Sequence, residues 1–544
     1  MKKFFSILFL CCIAIIPLWS LFHAGLPKTQ DGVIHLLRLA NFYQNLQLGI
    51  VFPRWAANVN WGYGLPEFIF YYPLPYYLAS LFHFLQFSYV DSLKIITLLS
   101  FIFSGVCMFL WVSELLDIPS GILSGFLYMV APYKILDLYI RGDIGENLAF
   151  VFLPLTLFLL LKTAKTNKHL FTFLAGISLS FLILSHNGIS LLFLPFIFLY
   201  TIFLIFSSKK RKKLVFQFGV AIVFGFLLSA FFWIPGFFEG KYTLRNIVTK
   251  GVYKQGFILL SSLFSFSWNS SLAGMNNTQL GLAQSIALLL FPVLLYFQRR
   301  KKETIFFFMV FLYCCIVIFF LTKQSNIFWQ HSSLLQNFQF PWRFLAIPVF
   351  CLSILAGYCL YLFRKGRWFV LVLIIVLTIF LQKNYWHVGL YYMQQDAFFN
   401  KIYAGGINAG ETAPIWSVRY MEHLPKAHIE LISGKGEIQE IQRTTVLHKY
   451  TIDASEKSRV RENTLYFPGW NVLVDGQQVS IEFQDVQNRG LITFFVNQGV
   501  HTVLIRFTET KLRLFADCLS FVSWSFILLF FIALFLKKLV HHII

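Results

Sequence analysis

Long apolar runs separated by short polar connections dominate the hydrophobic pattern of this chain. Most of the runs are long enough to cross the ~30 Å hydrocarbon core of a bilayer as a helix, and the third and fourth are short. The runs are at residues 4–22, 92–115, 118–132, 147–162, 169–185, 188–206, 214–238, 279–297, 304–321, 343–363, 367–383 and 513–536. The pattern therefore predicts a polytopic α-helical membrane protein with about twelve transmembrane helices.

Lysine and arginine clusters give the predicted orientation of these helices. Loops rich in lysine and arginine face the cytoplasm, and with twelve spans every cluster falls on the same side. We therefore expect both termini to be cytoplasmic and the chain to be integral to the cell (inner) membrane. The clusters are at residues 2–3, 162–168, 209–213, 299–302, 364–367 and 537–538.

The stretch FIFYYPLPYYLASLFHFL at 68–85 has two interpretations. It is apolar enough for a thirteenth span, but counting it would invert every loop that follows. Pro73 and Pro75 interrupt helical hydrogen bonding, and tyrosines suit the level of the lipid headgroups. We expect a bent interfacial or re-entrant helix here, with a thirteenth span as the alternative.

The polar stretch at 384–512 has a different periodicity. From about Thr444 it alternates in short segments, TTVLHKYTIDA, TLYFPGWNVLVDG, QQVSIEF, LITFFVNQG and HTVLIRFTE, with turn signals between them. This spacing is typical of an antiparallel β-sandwich. We therefore divide the chain into a transmembrane domain at 1–383 with a first outer loop at 23–91, an extracytoplasmic β-sandwich domain at 384–512, and a last helix with a cytoplasmic tail at 513–544.

Composition narrows the class of protein. Hydrophobic residues make up 57% of the chain and charged residues 13%, and the net charge is +21. The basic residues lie in short clusters between apolar runs, so we expect no nucleic-acid partner. All eight cysteines lie in apolar segments, which argues against a disulfide framework or a zinc site. The start of the chain lacks a small-x-small cleavage site, so the first helix is expected to stay uncleaved.

Ionisable residues that converge on the outer side of the membrane are functional candidates, because charges near a bilayer are costly to bury. Asp31, His35 and Arg38 follow the first span at i, i+4 and i+7, which places them on one stripe of a helix. The stripe either faces a cavity roofed by the outer loop or is the solvated face of an amphipathic helix.

A second group of charges lies in the short connection APYKILDLYIRGDIGEN at 131–147. These charges need partners or water, or they simply end helices at the surface. Candidates from this and other outer connections are Lys134, Arg141, Asp143, Glu146, His186, Arg245 and Arg343. Arginines there suit a phosphate, although Arg343 beside Trp342 also fits an aromatic belt with a snorkelling cation. No P-loop, no GxGxxG that enters a helix and no HExxH occurs where it could act.

Several stretches resemble known membrane proteins. Asp31 in the first outer loop, followed by interfacial helices and a bundle of spans, resembles the GT-C glycosyltransferases, which use polyprenyl-phosphate-linked sugars. The chain is more similar still to bacterial membrane proteins called 6-pyruvoyl-tetrahydropterin synthase-related. The similar stretches are QDGVIHLLRL, FPRWAANVNWGYGLPEFIFYYPLPYYL, APYKILDLYIRGDIGEN, LSHNG, FQFPWRFL, YFPGWNVLVDG and NQGVHTVLIRF.

The resemblance implies a GT-C-like fold and transfer of a sugar from a polyprenyl-phosphate donor to an extracytoplasmic glycan, lipid or protein of the cell envelope. It implies Asp31 as general base, with Asp143 and Glu146 either orienting the sugar or completing the carboxylate set. His35 and Arg38 are similar to the family's own pattern. The cations that compete for the leaving phosphate are Arg54, Lys134, Arg141, Arg245 and Arg343.

Cofactors and alternative functions stay open. GT-C enzymes often carry two acidic residues together in the first loop, whereas Gln30 and Gly32 flank Asp31 here. We therefore assign no metal ligand, and a metal-free reaction and one that uses Mg²⁺ or Mn²⁺ are both open. Nothing in the sequence suggests soluble pterin chemistry, which would need a zinc-binding histidine cluster. A transporter or flippase of lipid-linked glycans and a noncatalytic scaffold for envelope assembly are the alternatives, although the spans carry few of the mid-membrane charges that transport needs.

Overall fold

The computed structural model describes residues 1–268, 277–297, 302–363 and 365–543. Parts of three predicted segments lie outside these residues. They are 299–301 and 364 of the predicted basic clusters and 269–276 of a predicted outer connection. The α-helices are α1 Lys2–Leu18, α2 Gly32–Gln47, α3 Glu67–Phe70, α4 Leu74–Phe84, α5 Tyr89–Leu115, α6 Ile118–Met129, α7 Pro132–Leu136, α8 Ile144–Thr166, α9 His169–Ser185, α10 Asn187–Ser207, α11 Arg211–Leu228, α12 Ala230–Phe238, α13 Arg245–Val248, α14 Leu282–Phe297, α15 Lys302–Leu321, α16 Asn326–His331, α17 Ser333–Gln336, α18 Ala346–Leu362, α19 Arg367–Gln382, α20 Asp396–Phe399 and α21 Lys511–Ile543.

Each predicted run lies on an apolar helix. Within the described ranges, nine helical segments are long and apolar enough to cross a membrane. Helices α11 and α12 together form a tenth candidate, and α9 and α14 are apolar but shorter. The polytopic helical fold is therefore confirmed, while twelve crossings and their orientation stay predictions.

Two predicted spans have a different shape from the expected one. The run at 118–132 continues through α7 and a π-helical turn, so that the segment is Ile118–Arg141. The run at 214–238 bends by 70° between α11 and α12. Ser229 lies at this bend and donates its hydroxyl to the carbonyl of Gly225, a back-bond that often bends helices.

The stretch at 68–85 forms two short helices, α3 and α4. The chain between them is extended at Tyr71 and passes through Pro73 before α4 begins. Helix α4 has 11 residues, and at 1.5 Å per residue it is too short to span a bilayer. The break at the prolines is the one that the sequence predicts.

Before α21 the chain forms two antiparallel sheets, which confirms the predicted C-terminal β-sheet domain. One sheet has the strand order β4-β5-β10-β7-β8 and the other β3-β6-β9. Inward residues of both sheets, such as Tyr450 and Phe494, share one apolar core, as in a β-sandwich. The strands, with the pair β1–β2 outside these sheets, are β1 Leu26–Pro27, β2 Tyr391–Tyr392, β3 Ile429–Ser433, β4 Gly436–Arg443, β5 Leu447–Ala454, β6 Ser458–Leu465, β7 Trp470–Val474, β8 Gln477–Val479, β9 Leu491–Val496 and β10 Gly499–Phe507.

The β-sheet domain packs on the first outer loop. Trp55 of the loop meets Trp470 of β7 edge to face, with ring centroids 5.3 Å apart. The backbone N–H of Leu465 donates to the carbonyl of Tyr63 at 2.9 Å. Strand β1, which follows the first helix, pairs with β2, which follows α19. These contacts hold the loop that carries α2 between the membrane helices and the sheets.

Candidate active site

The backbone before α2 lies against the end of the segment Ile118–Arg141. The N–H groups of Gln30 and Asp31 donate to the carbonyls of Ile140 and Arg141 at 2.9 and 2.7 Å. Gly142 makes this approach possible, because its φ is +76° and a Cβ there would lie 2.2 Å from the Thr29 hydroxyl. The preceding turn at Asp137–Arg141 is π-helical, a rare conformation that is frequent at functional sites.

Arg141 lies at the centre of a buried cluster of carboxylates. Its guanidinium donates to Glu146 at 2.6 Å and to Asp143 at 3.0 Å, and it also bonds Asp137. The side chain is 3% exposed, and it stacks over the ring of Trp342 at 4.9 Å. One guanidinium thus joins three carboxylates that would otherwise repel one another in a buried site.

Two helices begin at this cluster with functional side chains as their caps. Asp143 caps α8 by accepting the N–H of Glu146 at 2.9 Å, and it also accepts the hydroxyl of Tyr72 at 2.9 Å. His186 caps α10, because its Nδ1 accepts the N–H of Ile189 at 3.1 Å. Nε2 of His186 is 3.6 Å from the Asp143 carboxylate. The N-termini of α8 and α10 therefore meet here.

Electrostatics keep Asp143 ionised. Burial alone would raise the pKa of the Asp143 carboxyl, but His186 and Arg141 outweigh that effect and hold the pKa well below its usual range. The carboxylate is therefore a permanent negative charge and a permanent hydrogen-bond acceptor at the site.

Asp31 contributes the carboxylate that is left without a direct partner. Within the described parts of the chain, neither a hydrogen-bond donor nor a cation at ion-pair distance reaches it. Burial raises the pKa of Asp31, and Arg141, Arg38 and Arg343 oppose the rise from farther away. Asp31 also occupies the N-cap position of α2 without capping it, so its side chain stays available.

Arg343 is the cation that lacks a carboxylate. Its Nη1 donates to the carbonyl of Phe338 at 3.1 Å, while its buried Nε has no hydrogen-bond partner in the described chain. The ring of Trp342 lies 5.8 Å from the guanidinium. Arg343 is close enough to Asp31 to affect its ionisation. Among the described residues the site therefore holds a carboxylate and a guanidinium that lack ion-pair partners.

A group of tyrosines from the outer loop forms one wall. Nδ1 of His35 is 2.8 Å from the hydroxyl of Tyr76, and its buried Nε2 has no partner among the described residues. Burial lowers the pKa of His35 to about 3, so the ring is neutral near pH 7. The hydroxyls of Tyr71 and Tyr72 are 3.3 Å apart. The wall thus presents polar atoms on aromatic rings.

Arg38 faces the same wall but has a fixed partner. Its guanidinium lies 3.5 Å from the Tyr71 ring centroid and donates to Glu67 at 2.8 Å. Glu67 is fully buried and accepts further hydrogen bonds from Asn408 and Thr412. Because both charges are neutralised, Arg38 positions the tyrosine wall rather than offering a free charge.

Three predicted site residues lie elsewhere. Arg54 pairs with Glu509 at 3.1 Å and with Asp517 of α21 at 2.6 Å, so it joins the outer loop to that helix. Lys134 is fully buried, bonds the hydroxyl of Ser104 and lies about 5 Å from three aromatic rings. Arg245 packs against Gly240 and has no carboxylate partner within the described ranges. The other predicted site residues, Asp31, His35, Arg38, Arg141, Asp143, Glu146, His186 and Arg343, are brought together.

Most of the tyrosine wall was not predicted from the sequence. Tyr71, Tyr72 and Tyr76 belong to the stretch at 68–85, and these tyrosines were expected to lie at the level of the lipid headgroups. Glu67 carried the available signal, because a lone carboxylate beside an apolar run needs a buried cation. Arg38, 29 residues earlier, is that cation.

A metal fits this arrangement poorly. By distance alone Asp143, Glu146 and His186 form a group that could hold an ion, since their ligand atoms lie within 4.8 Å of one another. However, Nδ1 of His186 already accepts a backbone N–H, so in the neutral ring the proton is on Nε2, the atom that faces Asp143. Arg141 bonds both carboxylates. An ion would have to displace these donors, and we therefore derive no step through a metal.

Comparisons with known proteins place the chain in a family of membrane proteins. A family model described as "6-pyruvoyl-tetrahydropterin synthase related domain; membrane protein" matches residues 68–388. An uncharacterized protein of Lactococcus lactis subsp. cremoris is 28% identical over 279 residues, which are 48% of this chain and 42% of that protein. The chain therefore spans less than half the length of this relative.

Two solved structures are similar in part. The Archaeoglobus fulgidus oligosaccharyltransferase, in a complex with Zn and sulfate, is 16% identical with a TM-score of 0.41 and covers 73% of this chain and 53% of its own. ArnT from Cupriavidus metallidurans, bound to undecaprenyl phosphate, is 13% identical with a TM-score of 0.42 and covers 69% of this chain and 64% of its own. At these TM-scores the likeness is too remote to carry an argument about fold or function.

Proposed function

We propose, from the premise that the chain belongs to the family of 6-pyruvoyl-tetrahydropterin synthase-related membrane proteins, that it is a GT-C-like glycosyltransferase. In this proposal a polyprenyl phosphate donates a sugar to an acceptor of the cell envelope, on the extracytoplasmic face of the inner membrane. The observation that carries the proposal is the Asp31 carboxylate, which has no ion pair among the described residues and whose backbone N–H bonds the carbonyl of Arg141 where α8 and α10 begin.

The N-terminus of α2 favours an anion at this place. The side chains of Asp143 and His186 already accept backbone N–H groups at the starts of α8 and α10, whereas Asp31 does not cap α2, a helix of 16 residues. The N-terminal end of a helix carries a partial positive charge of roughly half an elementary charge and stabilises phosphates. With Arg343 as a free planar donor, the site suits the phosphate of a lipid carrier.

Asp31 would act as the general base. It takes the proton of an acceptor hydroxyl while that oxygen bonds to the anomeric carbon of the sugar. The bond between the anomeric carbon and the phosphate oxygen breaks, and its electrons leave with the polyprenyl phosphate. Negative charge therefore grows on the phosphate in the transition state, where Arg343 and the N-terminus of α2 would stabilise it.

The remaining polar groups would hold the sugar. The unpartnered Nε2 of His35 suits a sugar hydroxyl, and the hydroxyls of the tyrosine wall lie beside it. Asp143 and Glu146 are each paired with Arg141, so they would hold the sugar in place and would not take up a proton from the acceptor. This division leaves Asp31 as the carboxylate free to accept a proton.

The test is transfer by the purified protein in lipid nanodiscs. We would supply undecaprenyl-phosphate-linked hexoses, labelled in the sugar, with cell-envelope acceptor fractions, and follow the release of undecaprenyl phosphate and the label in the acceptor. Asp31→Asn is expected to reduce transfer by at least about 100-fold without weakening donor binding. Asp91→Asn is the matched control, because Asp91 is an exposed carboxylate of the same outer loop.

Three outcomes would contradict the proposal. Full activity of Asp31→Asn would remove the base, and no transfer with any labelled donor would remove the activity. Movement of an intact lipid-linked sugar across sealed proteoliposomes, without bond cleavage, would favour the transporter instead.

A further inference from the structure

A cavity of about 700 Å³ lies between the first outer loop and the β-sheet domain. We call it the loop–sheet cleft and define it by Trp61 of the loop and by Glu440, Arg443 and Thr445 of the domain, with His428 at its rim. Its volume is in the range of small-molecule sites. None of these residues takes part in the site around Asp31.

The cleft is separated from Asp31 by the length of α2. Asn45, near the far end of α2, donates to the carbonyl of Trp55 and accepts the hydroxyl of Thr445, and both of these residues line the cleft. Asn45 follows Asp31 by 14 positions, which at 1.5 Å per residue is about 20 Å. One monosaccharide cannot reach both places, whereas a chain of several sugar units can.

A strained backbone presents Trp61 to the cleft. Asn60 and Trp61 have φ of +54° and +61°, a left-handed conformation that is strained for a non-glycine residue. Hydrogen bonds to the carbonyls of Gly405 and Tyr403 hold this conformation. Trp61 is half-buried, so part of its indole face is open to a ligand. Strain that the surroundings maintain at a cavity is typical of functional sites.

The charges of the cleft indicate a neutral polar ligand. Arg443 is paired with Glu462 at 2.7 Å, and His428 is paired with Glu440 at 2.7 Å. The paired groups thus offer fixed donors and fixed acceptors, which suit hydroxyl groups because each hydroxyl both donates and accepts. Lys426 also lines the cleft and has no ion pair among the described residues, but it is exposed, so solvent screens its attraction for a phosphate or another anion.

We propose that the loop–sheet cleft binds a neutral segment of an oligosaccharide, with a sugar ring on Trp61 and its hydroxyls on Glu440 and Arg443. The assignment of the ligand to an acceptor glycan rests on the proposed function. An acceptor held there would have its growing end near Asp31, so the cleft would select long glycans over single sugars.

The test is equilibrium binding by the full chain in nanodiscs to an array of neutral, sulfated and phosphorylated oligosaccharides. We expect neutral oligosaccharides to bind and Trp61→Asn to weaken that binding about tenfold. Asparagine tolerates the left-handed conformation, so this variant removes the ring without disturbing the backbone. Glu440→Gln is expected to weaken binding as well, while Phe495→Ala, at an exposed ring outside the cleft, keeps it.

The results separate this inference from the proposed function. Binding that depends on Trp61 supports the cleft even if no transfer is ever detected. No binding of neutral probes, equal binding by Trp61→Asn, or a preference for the anionic probes would overturn the inference even if the chain transfers sugar.

Discussion

Replacing Arg343 by glutamine removes the free cation of the site while keeping most of the side-chain volume. Arg343 donates one hydrogen bond to the Phe338 carbonyl and pairs with no carboxylate in the described residues. Its loss therefore leaves no acidic side chain unpaired, and we expect thermal stability to change little, by about 1 kcal/mol at most.

The effect on phosphate binding follows from the charge. Two unit charges 4 Å apart interact by about 4 kcal/mol at an effective dielectric constant of about 20, which is an upper limit. Arg343 is half-buried, so desolvation and solvent screening reduce this to the roughly 1.5–3 kcal/mol of a hydrogen bond between charged groups. We therefore expect undecaprenyl phosphate to bind about 10- to 150-fold more weakly to Arg343→Gln.

Binding of radiolabelled undecaprenyl phosphate to the chain in nanodiscs measures this effect, with melting in detergent as the folding check. Arg245→Gln is the matched control, because Arg245 is also a half-buried arginine without a carboxylate partner in the described chain. Equal binding by Arg343→Gln and the unaltered chain would refute the assignment of Arg343. An equal loss in Arg245→Gln would show a general charge effect instead of a site.

Three further predictions test the geometry. Because burial raises the pKa of Asp31 and the base acts when ionised, kcat/KM should fall on acidification at a pH above the ordinary aspartate range; a fall confined to that ordinary range would contradict the assignment. Transfer should persist in EDTA, since Arg141 occupies the carboxylates of the candidate metal group; abolition by EDTA with recovery on adding Mg²⁺ or Mn²⁺ would overturn this. Gly142→Ala should lower both the melting temperature and the rate of transfer. Gly251→Ala is the control, because Gly251 has a φ of +75° but no atom within 4 Å of an added Cβ, so this variant has the backbone strain without the clash. Similar losses in both variants would show that the close approach of Gly142 to Thr29 is not the cause.

The fold was largely predictable because the membrane imposes one simple pattern. Apolar length alone located the helices, since only a helix satisfies its own backbone in lipid. The strands were predicted less well. Strand β5 alternates buried and exposed positions, as its sequence suggests, but β4 is exposed along most of its length. The β4 sequence GEIQEIQR therefore lacks the alternating apolar positions from which a strand is predicted. This strand nevertheless lines the loop–sheet cleft.

The site was predictable where local spacing decides the geometry. Asp143 and Glu146 are three residues apart at a helix start, and His35 follows Asp31 by one helical turn. Arg54 shows what local spacing cannot reveal. Phe231 has a free carbonyl because Pro235, four residues on, has no N–H to donate, and Arg54 bonds that carbonyl at 2.8 Å. Such a contact between distant segments depends on the tertiary fold alone.

The pairing of Arg54 with Asp517 has a consequence for biosynthesis. The two residues are 463 positions apart, so at about 5–20 residues per second Arg54 waits roughly 20 to 90 seconds for its partner to leave the ribosome. During that interval the outer loop carries a cation that has no carboxylate from α21 to neutralise it. The ion pair between the loop and α21 can form only after α21 has been synthesised, so this contact is among the last that the loop completes.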